Sequence, residues 1–144
     1  MVARQPEVVL IAGINGGIGS HVASRIREAG REALCMFSWL EQEGGLRHSG
    51  DSVVGVVNCA GKGMESSSQV SITDMREANV VVTHLCIRVA EKYDATLVHL
   101  GSAMEHDVLR TDTYVQTKRL ASTLIRDARA CSAGTFRSVR LSLH

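Results

Sequence analysis

The chain has 144 residues, enough for one domain with a core of its own and too few for two. Its 16 basic and 15 acidic residues are spread along the sequence and leave a formal net charge of +1, so there is neither a basic stripe for nucleic acid nor a charged tail. Apolar residues make up 44%, yet no run approaches the roughly 20 residues of a membrane span. Four cysteines (Cys35, Cys59, Cys86, Cys131) form no CxxC pair and no Cys/His cluster, which argues against a disulfide framework and a zinc site. The expectation is a single soluble domain over residues 1–144, in the cytoplasm, with no metal and no nucleic-acid or membrane partner.

In chain order, the apolar run Val8–Ala12 predicts a first buried strand, and it opens at once into the turn Gly13-Ile-Asn-Gly16-Gly17-Ile-Gly19. From Ile18 to about Ala29, apolar Ile18, Val22, Ala23 and Ile26 recur at helical spacing, and Gly30 follows as a stop. Glu32–Phe37 reads as the second strand. Ser38 to Asp51 is polar and glycine-bearing, a connection short for a parallel crossover but with room for a brief helix. Val53–Val57 is a third apolar run ending at Asn58-Cys-Ala-Gly61. After a loop from Lys62 to about Ser71, Ile72–Tyr93 is the longest helical candidate, with Ser71 and Asp74 as its capped start. Thr96–Leu100 is the fourth strand, Thr113 to about Ala130 a helix with the stripe Leu120, Ala121, Leu124, Ile125, Ala128, and Phe136–Leu143 a fifth strand. Strands and helices in alternation predict an α/β fold with a doubly wound parallel sheet, Rossmann-like, in the order 2-1-3-4-5, its cleft over the switch point between strands one and three.

Two clusters carry chemistry. Tyr114 and Lys118 stand one helical turn apart on the same face, where an ammonium beside a phenol favours the ionised form and draws a group that titrates near ~10 toward neutrality. Such a tyrosine can exchange a proton with a substrate oxygen. A strand, a glycine-rich turn and a helix N-terminus seat a dinucleotide pyrophosphate, with Gly17 and Gly19 read as admitting a backbone approach that a Cβ would block; on that reading Gly19→Val abolishes binding and leaves the fold intact. Each cluster alone has a plainer explanation: glycine turns occur in proteins that bind no nucleotide, and a Tyr and a Lys four apart are commonly surface neighbours. Ser102 could be a strand-end hydroxyl and Asn79 a helix residue bonding nearby backbone. His99, inside an apolar strand, reads as a satisfied core or interface residue, and Glu105 and His106 as solvated loop.

The ordered combination resembles the short-chain dehydrogenase/reductase family over nearly the whole chain. The glycine turn fits both the GxxxGxG spacing of the family's short type (Gly13, Gly17, Gly19) and the GxxGxxG spacing of its extended, epimerase-like type (Gly13, Gly16, Gly19). Asn58-Cys-Ala-Gly61 is similar to the family's Asn-Asn-Ala-Gly, with Cys59 in place of the second Asn. Asn79 in the long helix, Ser102 in Leu100-Gly-Ser-Ala103, and Tyr114 with Lys118 match its catalytic Asn, Ser, Tyr and Lys. The resemblance implies that Tyr114 exchanges the proton on oxygen, Lys118 lowers its pKa and binds the nicotinamide ribose, Ser102 holds the substrate oxygen and Asn79 fixes a water. It further implies a cofactor seat at Gly13, Asn15, Gly16, Gly17, Ile18, Gly19, Ser38, Asn58, Ala60 and Gly61, together with Tyr114 and Lys118.

The sequence departs from the family in two places. Ser38–Asp51 is too short for the strand and helices the family inserts there, which makes a shallower adenine pocket, and the chain stops at His144, before the family's substrate segment. An acid at the end of the second strand would select NAD; Met36-Phe-Ser38 has none before Glu41, so the choice between NADP and NAD inclines to NADP. The implied activity is a nicotinamide-dependent oxidoreductase acting on a carbonyl or hydroxyl substrate. The alternatives are a sugar-nucleotide epimerase or dehydratase, and a non-catalytic dinucleotide-binding or assembly module. Apolar Val80, Val81, Leu85 and Val89, with Leu120, Leu124 and Ile125, further suggest a homodimer or larger homo-oligomer through helices 72–93 and 113–130, as the family's equivalent helices pair.

Overall fold

A computed structural model describes residues 4–42, 52–62 and 70–143. Most of the Ser38–Asp51 connection and of the Lys62–Ser71 loop lies outside the described residues. The sheet has five parallel strands, β1 (Val8–Ala12), β2 (Glu32–Cys35), β3 (Val53–Asn58), β4 (Thr96–Ser102) and β5 (Ser138–Leu143), in the order β2-β1-β3-β4-β5. That is the expected order, and it puts the switch point between the paired strands β1 and β3, over whose C-terminal ends a doubly wound sheet opens its crevice.

Helix α1 (Gly17–Glu28) covers one face of the sheet, closing a small core of Val9, Ile11, Ala23, Ala33 and Val57. The other face is covered by α2 (Met36–Glu41), by the long helix 72–92 and by α5 (Thr113–Cys131), around Leu10, Val56, Leu97, Cys86, Val89 and Ile125. Strands buried on both faces read as unbroken apolar runs, which is why Val8–Ala12 is wholly buried. On the α1 side the edge strand remains bare: Val139, Leu141 and Leu143 are all close to half exposed.

Four elements differ from the sequence expectation, the fifth strand by starting at Ser138, two residues later than expected. The second strand stops at Cys35, because Met36–Glu41 turns directly into α2; Met36 and Trp39 are then buried one helical turn apart, and Trp39 Nε1 donates to the Tyr93 hydroxyl at 3.0 Å. The long helix is three pieces, α3 (Ile72–Arg76), a π-helical turn (Glu77–Val81) and α4 (Val82–Lys92). A π turn adds a residue to the helix and re-aims what it carries, here Asn79. The fourth strand runs two residues further than expected, to Ser102, and passes into a 3₁₀ turn (Ala103–His106). The cap read from sequence is present, Ser71 Oγ accepting from the Asp74 amide at 3.0 Å, and α5 has a further one, Asp112 Oδ1 accepting from the Val115 amide.

The apolar helix stripes divide. Val89 and Ile125 belong to the core, and Leu124 packs against it, so these three face the sheet. Val81, Leu85 and Leu120 stay exposed on the outer face.

Candidate functional site

The glycine turn is built by contact between its own ends. Gly13 lies at φ +78°, and a Cβ there would meet Ala60 N at 2.8 Å; a Cβ on Gly19 would come within 1.9 Å of Gly13 O. Gly13 and Gly19 therefore serve the packing of β1, α1 and the segment after β3. This corrects the expectation that Gly19→Val spares the fold, since the added side chain would displace the turn backbone. Gly17 is the opposite case, with nothing within 4 Å of a built Cβ. It opens α1, whose first turn has no side-chain cap and no acidic residue, so amide N–H groups of Gly17, Ile18 and Gly19 begin the helix without a side-chain acceptor. Asn15, Gly16, Gly17 and Ile18 are all exposed at this end.

Above the C-terminal ends of β1, β3 and β4 lies a cleft of about 330 Å³. Ile18 borders it from α1, Cys59 to Lys62 from the end of β3, and Leu100, Gly101 and Ser102 from β4. Tyr114 and Lys118 close it from α5, and Met104 and Leu143 complete its apolar rim. The cleft thus gathers Ser102, Tyr114, Lys118, Ile18, Ala60 and Gly61, which lie far apart in sequence. Ser38 is elsewhere, exposed in the first turn of α2 close to Cys35. Burial acts to raise the Cys35 thiol's pKa, but the polar groups of Ser38 and the Phe37 backbone beside it outweigh that and hold it below the usual thiol range.

Lys118 is 7% exposed, and its Nζ donates to the Leu100 carbonyl at 3.4 Å. Its ammonium lies against Gly61, where a Cβ would meet Nζ at 3.2 Å. Burial lowers its pKa, an effect the nearby Glu105 carboxylate opposes. Ser102 Oγ accepts from the Met104 amide at 3.2 Å, and its own N–H donates to Glu105 Oε1 at 2.7 Å. Cys59 faces the cleft as a thiol, its pKa pushed up to about 11 by burial, so it is a polar lining group and not a nucleophile.

Behind the cleft runs a buried polar chain. Asn79 Oδ1 accepts from the Lys62 amide at 2.9 Å, while its Nδ2 donates to the Lys62 carbonyl and to Thr117 Oγ1, each at 3.0 Å. Thr117 Oγ1 donates to the Tyr114 carbonyl at 2.8 Å. Asn79 so ties the segment after Gly61 to the first turn of α5, the turn that carries Tyr114. Its own carbonyl accepts from Thr83 Oγ1, which also accepts from Asn58 Nδ2 at 3.0 Å. Asn58 holds Ala60 through Oδ1 and faces His99 Nδ1 through Nδ2 at 3.2 Å.

His99 is 1% exposed, and its pKa is pushed down to about 4 by burial and by the Lys118 charge. The neutral ring accepts at Nδ1, which leaves the proton on Nε2, and Nε2 has no partner among the described residues. The core reading of His99 therefore holds, but only one of its nitrogens is satisfied. Glu105 departs further from expectation: it is buried, with three hydrogen-bonding or ionic partners for its carboxylate, Ser102, Ser122 and Arg140, whereas His106 is exposed as expected. Thr117 and Arg119 were not legible as site residues, because a threonine or arginine inside a helix most often faces solvent.

Among the described residues no group of His, Cys, Asp or Glu could hold a metal ion, and no helix is long and apolar enough to cross a membrane. No family model and no curated protein matches the sequence. The fold itself defines a class, the doubly wound domain with a crevice at its switch point. Solved structures make it more particular. A short-chain dehydrogenase/reductase superfamily protein from Agrobacterium tumefaciens with bound NAD is similar over 94% of this chain and 48% of its own, at a TM-score of 0.69 and 19% identity. UDP-glucose 4-epimerase from Bifidobacterium longum, in complex with NAD+ and UDP, gives a TM-score of 0.74 at 14% identity over 94% of this chain and 52% of its own. A short chain dehydrogenase from Burkholderia cenocepacia in complex with NADP gives 0.70 at 13%, over 95% and 71%. The chain has the fold that these dehydrogenases and epimerases share, and it spans about half the length of the first two.

Proposed function

We propose that the chain is a nicotinamide-dependent oxidoreductase of the short-chain dehydrogenase/reductase kind, exchanging hydride with a carbonyl or hydroxyl substrate. The observation that carries the reading is the cleft itself: Tyr114, Lys118 and Ser102 converge in one cavity with Ile18 of the glycine turn. The residues present fit a dinucleotide. The start of α1 offers amide N–H groups without a side-chain cap, Gly17 has open space before it, and anions bind where a helix N-terminus is free in this way. The bound cofactor would supply the hydride chemistry.

The chain's own groups do the rest. Gly17, Ile18 and Gly19 would receive the pyrophosphate, and Lys118, held at the level of Leu100 and Gly61, would reach the ribose hydroxyls. The Tyr114 phenol would move a proton to or from the substrate oxygen, with Lys118 lining the same cleft one helical turn away. Ser102, its Oγ already accepting from Met104, keeps its hydroxyl hydrogen to donate to that oxygen. Asn79 and Thr117 hold the first turn of α5 in place, and Asn79 is the candidate for fixing a relay water. The end of β2 sets no clear choice between NADP and NAD: Ser38 lies in α2, and Glu41 at its far end is exposed.

An epimerase or dehydratase of sugar nucleotides is the second reading, favoured by the double fit of the glycine spacing and by the likeness to UDP-glucose 4-epimerase. The test is to titrate NADPH and NADH while following nicotinamide fluorescence, then to add a panel of ketones and analyse products. Binding with ketone reduction supports the first reading; inversion of a UDP-sugar with no net cofactor consumption supports the second. Failure to bind either nucleotide contradicts both.

A further inference from the structure

We propose that Glu105 is the positioning residue of the cleft, its buried carboxylate fixing Ser102 and the 103–110 segment from beneath while Arg119 fixes the same segment through its carbonyls. The catalytic consequence rests on the oxidoreductase reading; the positioning does not.

Segment 103–110 joins Ser102 to the helix of Tyr114 and forms part of the cleft's rim through Met104. It is a short turn with Val108 and Leu109 almost fully exposed, so apolar burial of its own holds little of it. Polar anchors hold it instead. Glu105 Oε1 accepts from the Ser102 amide at 2.7 Å, and the Ser102 hydroxyl in turn accepts from Met104, a reciprocal box that sets the strand end. Oε2 accepts from Ser122 Oγ on α5 and faces Arg140 Nη1 on β5 at 3.8 Å. The Glu105 side chain is 3% exposed, and it occupies space that only a glycine at 101 leaves, since a Cβ there would meet Oε1 at 2.7 Å.

Arg119 acts from the other side. Nε donates to the Glu105 carbonyl at 2.9 Å, Nη1 to the Arg110 carbonyl at 2.7 Å and Nη2 to the Asp107 carbonyl. Three carbonyls gathered by one guanidinium pin the turn to the helix that carries Tyr114 and Lys118. A charged acceptor and a charged donor make the stronger class of hydrogen bond.

The carboxylate faces Lys118 and Ser122 from α5, Arg140 from β5 and His99 from β4. Burial lowers the pKa of Lys118, and the Glu105 carboxylate works against that, favouring the ammonium. One side chain therefore both places Ser102 and favours the charged form of Lys118.

The test compares the full chain with Glu105→Gln, which preserves shape and removes charge. Amide exchange of residues 102–110 and the titration of the Lys118 ε-carbon by NMR report positioning without any need for turnover. Exchange should quicken by about tenfold or more, and Lys118 should titrate at lower pH than in the parent. If the oxidoreductase reading holds, kcat should fall by roughly 10–100-fold with cofactor Kd unchanged, and the high-pH limb of activity should move down. Gly101→Ala displaces the same carboxylate without changing it, and should reproduce the faster exchange and the Lys118 shift; it carries the test if Glu105→Gln fails to fold. Parent-like exchange and Lys118 titration in the folded variants overturn the proposal. A shift in both, in a parent that reduces no carbonyl, leaves the positioning standing and overturns the oxidoreductase reading.

Discussion

Replacing Gly17 with aspartate puts a carboxylate at the first position of α1, where a built Cβ has open space. Leaving glycine for a residue with a side chain in a compatible helical position stabilises by about 0.4–1 kcal/mol through the unfolded chain. An acid in a first turn that has none adds about 0.3–1 kcal/mol with the helix dipole. Thermal stability should thus hold or rise. Dinucleotide affinity should move the other way, because a carboxylate about 4 Å from a pyrophosphate costs about 1 kcal/mol in a water-like medium and about 4 at the effective dielectric of a protein surface. The Kd should weaken by roughly fivefold to a thousandfold. Fluorescence titration with NADPH and NADH beside a thermal melt reads both quantities. Parent-like affinity in a variant that melts at or above the parent would remove the glycine turn from the binding site. Gly19 cannot give this separation, since any side chain there collides with Gly13 O.

Other outcomes follow from the same geometry. Tyr114→Phe should cut turnover by orders of magnitude with cofactor affinity nearly unchanged, whereas Lys118→Met should damage both; equal activity in the phenylalanine variant would end the proton-transfer role, as read by steady-state kinetics. His99 should make the fold acid-labile. Its folded pKa of about 4 lies below the unfolded value of about 6.5, so the unfolded chain binds more protons between them. Stability is then fully present above about 6.5 and declines as pH falls toward 4, by roughly 3 kcal/mol at most; His99→Gln should flatten that slope in urea melts, and an unchanged slope would refute the assignment. We propose that any self-association uses the outer faces of the 72–92 helix and α5, where Val81, Leu85 and Leu120 are exposed; sedimentation should then show at least a dimer that Leu120→Glu dissociates, and a monomeric parent at micromolar concentration would dismiss the interface.

Periodicity made most of the fold legible, because each strand is a short apolar run and each long helix has an apolar stripe. What escaped was decided by tertiary contact. Trp39 draws α2 into the core across the boundary between the expected second strand and the polar connection after it, and the π turn answers to the bonds of Asn79 with Lys62 and Thr117, to which no periodicity points. The cleft residues Tyr114, Lys118 and Ser102 were legible from a family pattern, which encodes spatial order. Glu105 was not: a Glu followed by His and Asp looks solvated, and only the glycine at 101 and arginines far along the chain give it a buried place. Gly17 and Gly19 look equivalent in sequence, yet one faces open space and the other its own turn.

The central claim is that hydride and proton pass between a nicotinamide and a carbonyl in the cleft of Tyr114. A single-turnover reaction with NADPH or NADH deuterated at the transferable C4 position, with ketone and with product analysed by mass spectrometry, tests it most directly. The account predicts deuterium on the carbinol carbon with the parent and none with Tyr114→Phe under conditions where both bind the nucleotide. Nucleotide bound by the parent with no deuterium delivered to any carbonyl would contradict it and leave a dinucleotide-binding module without this chemistry.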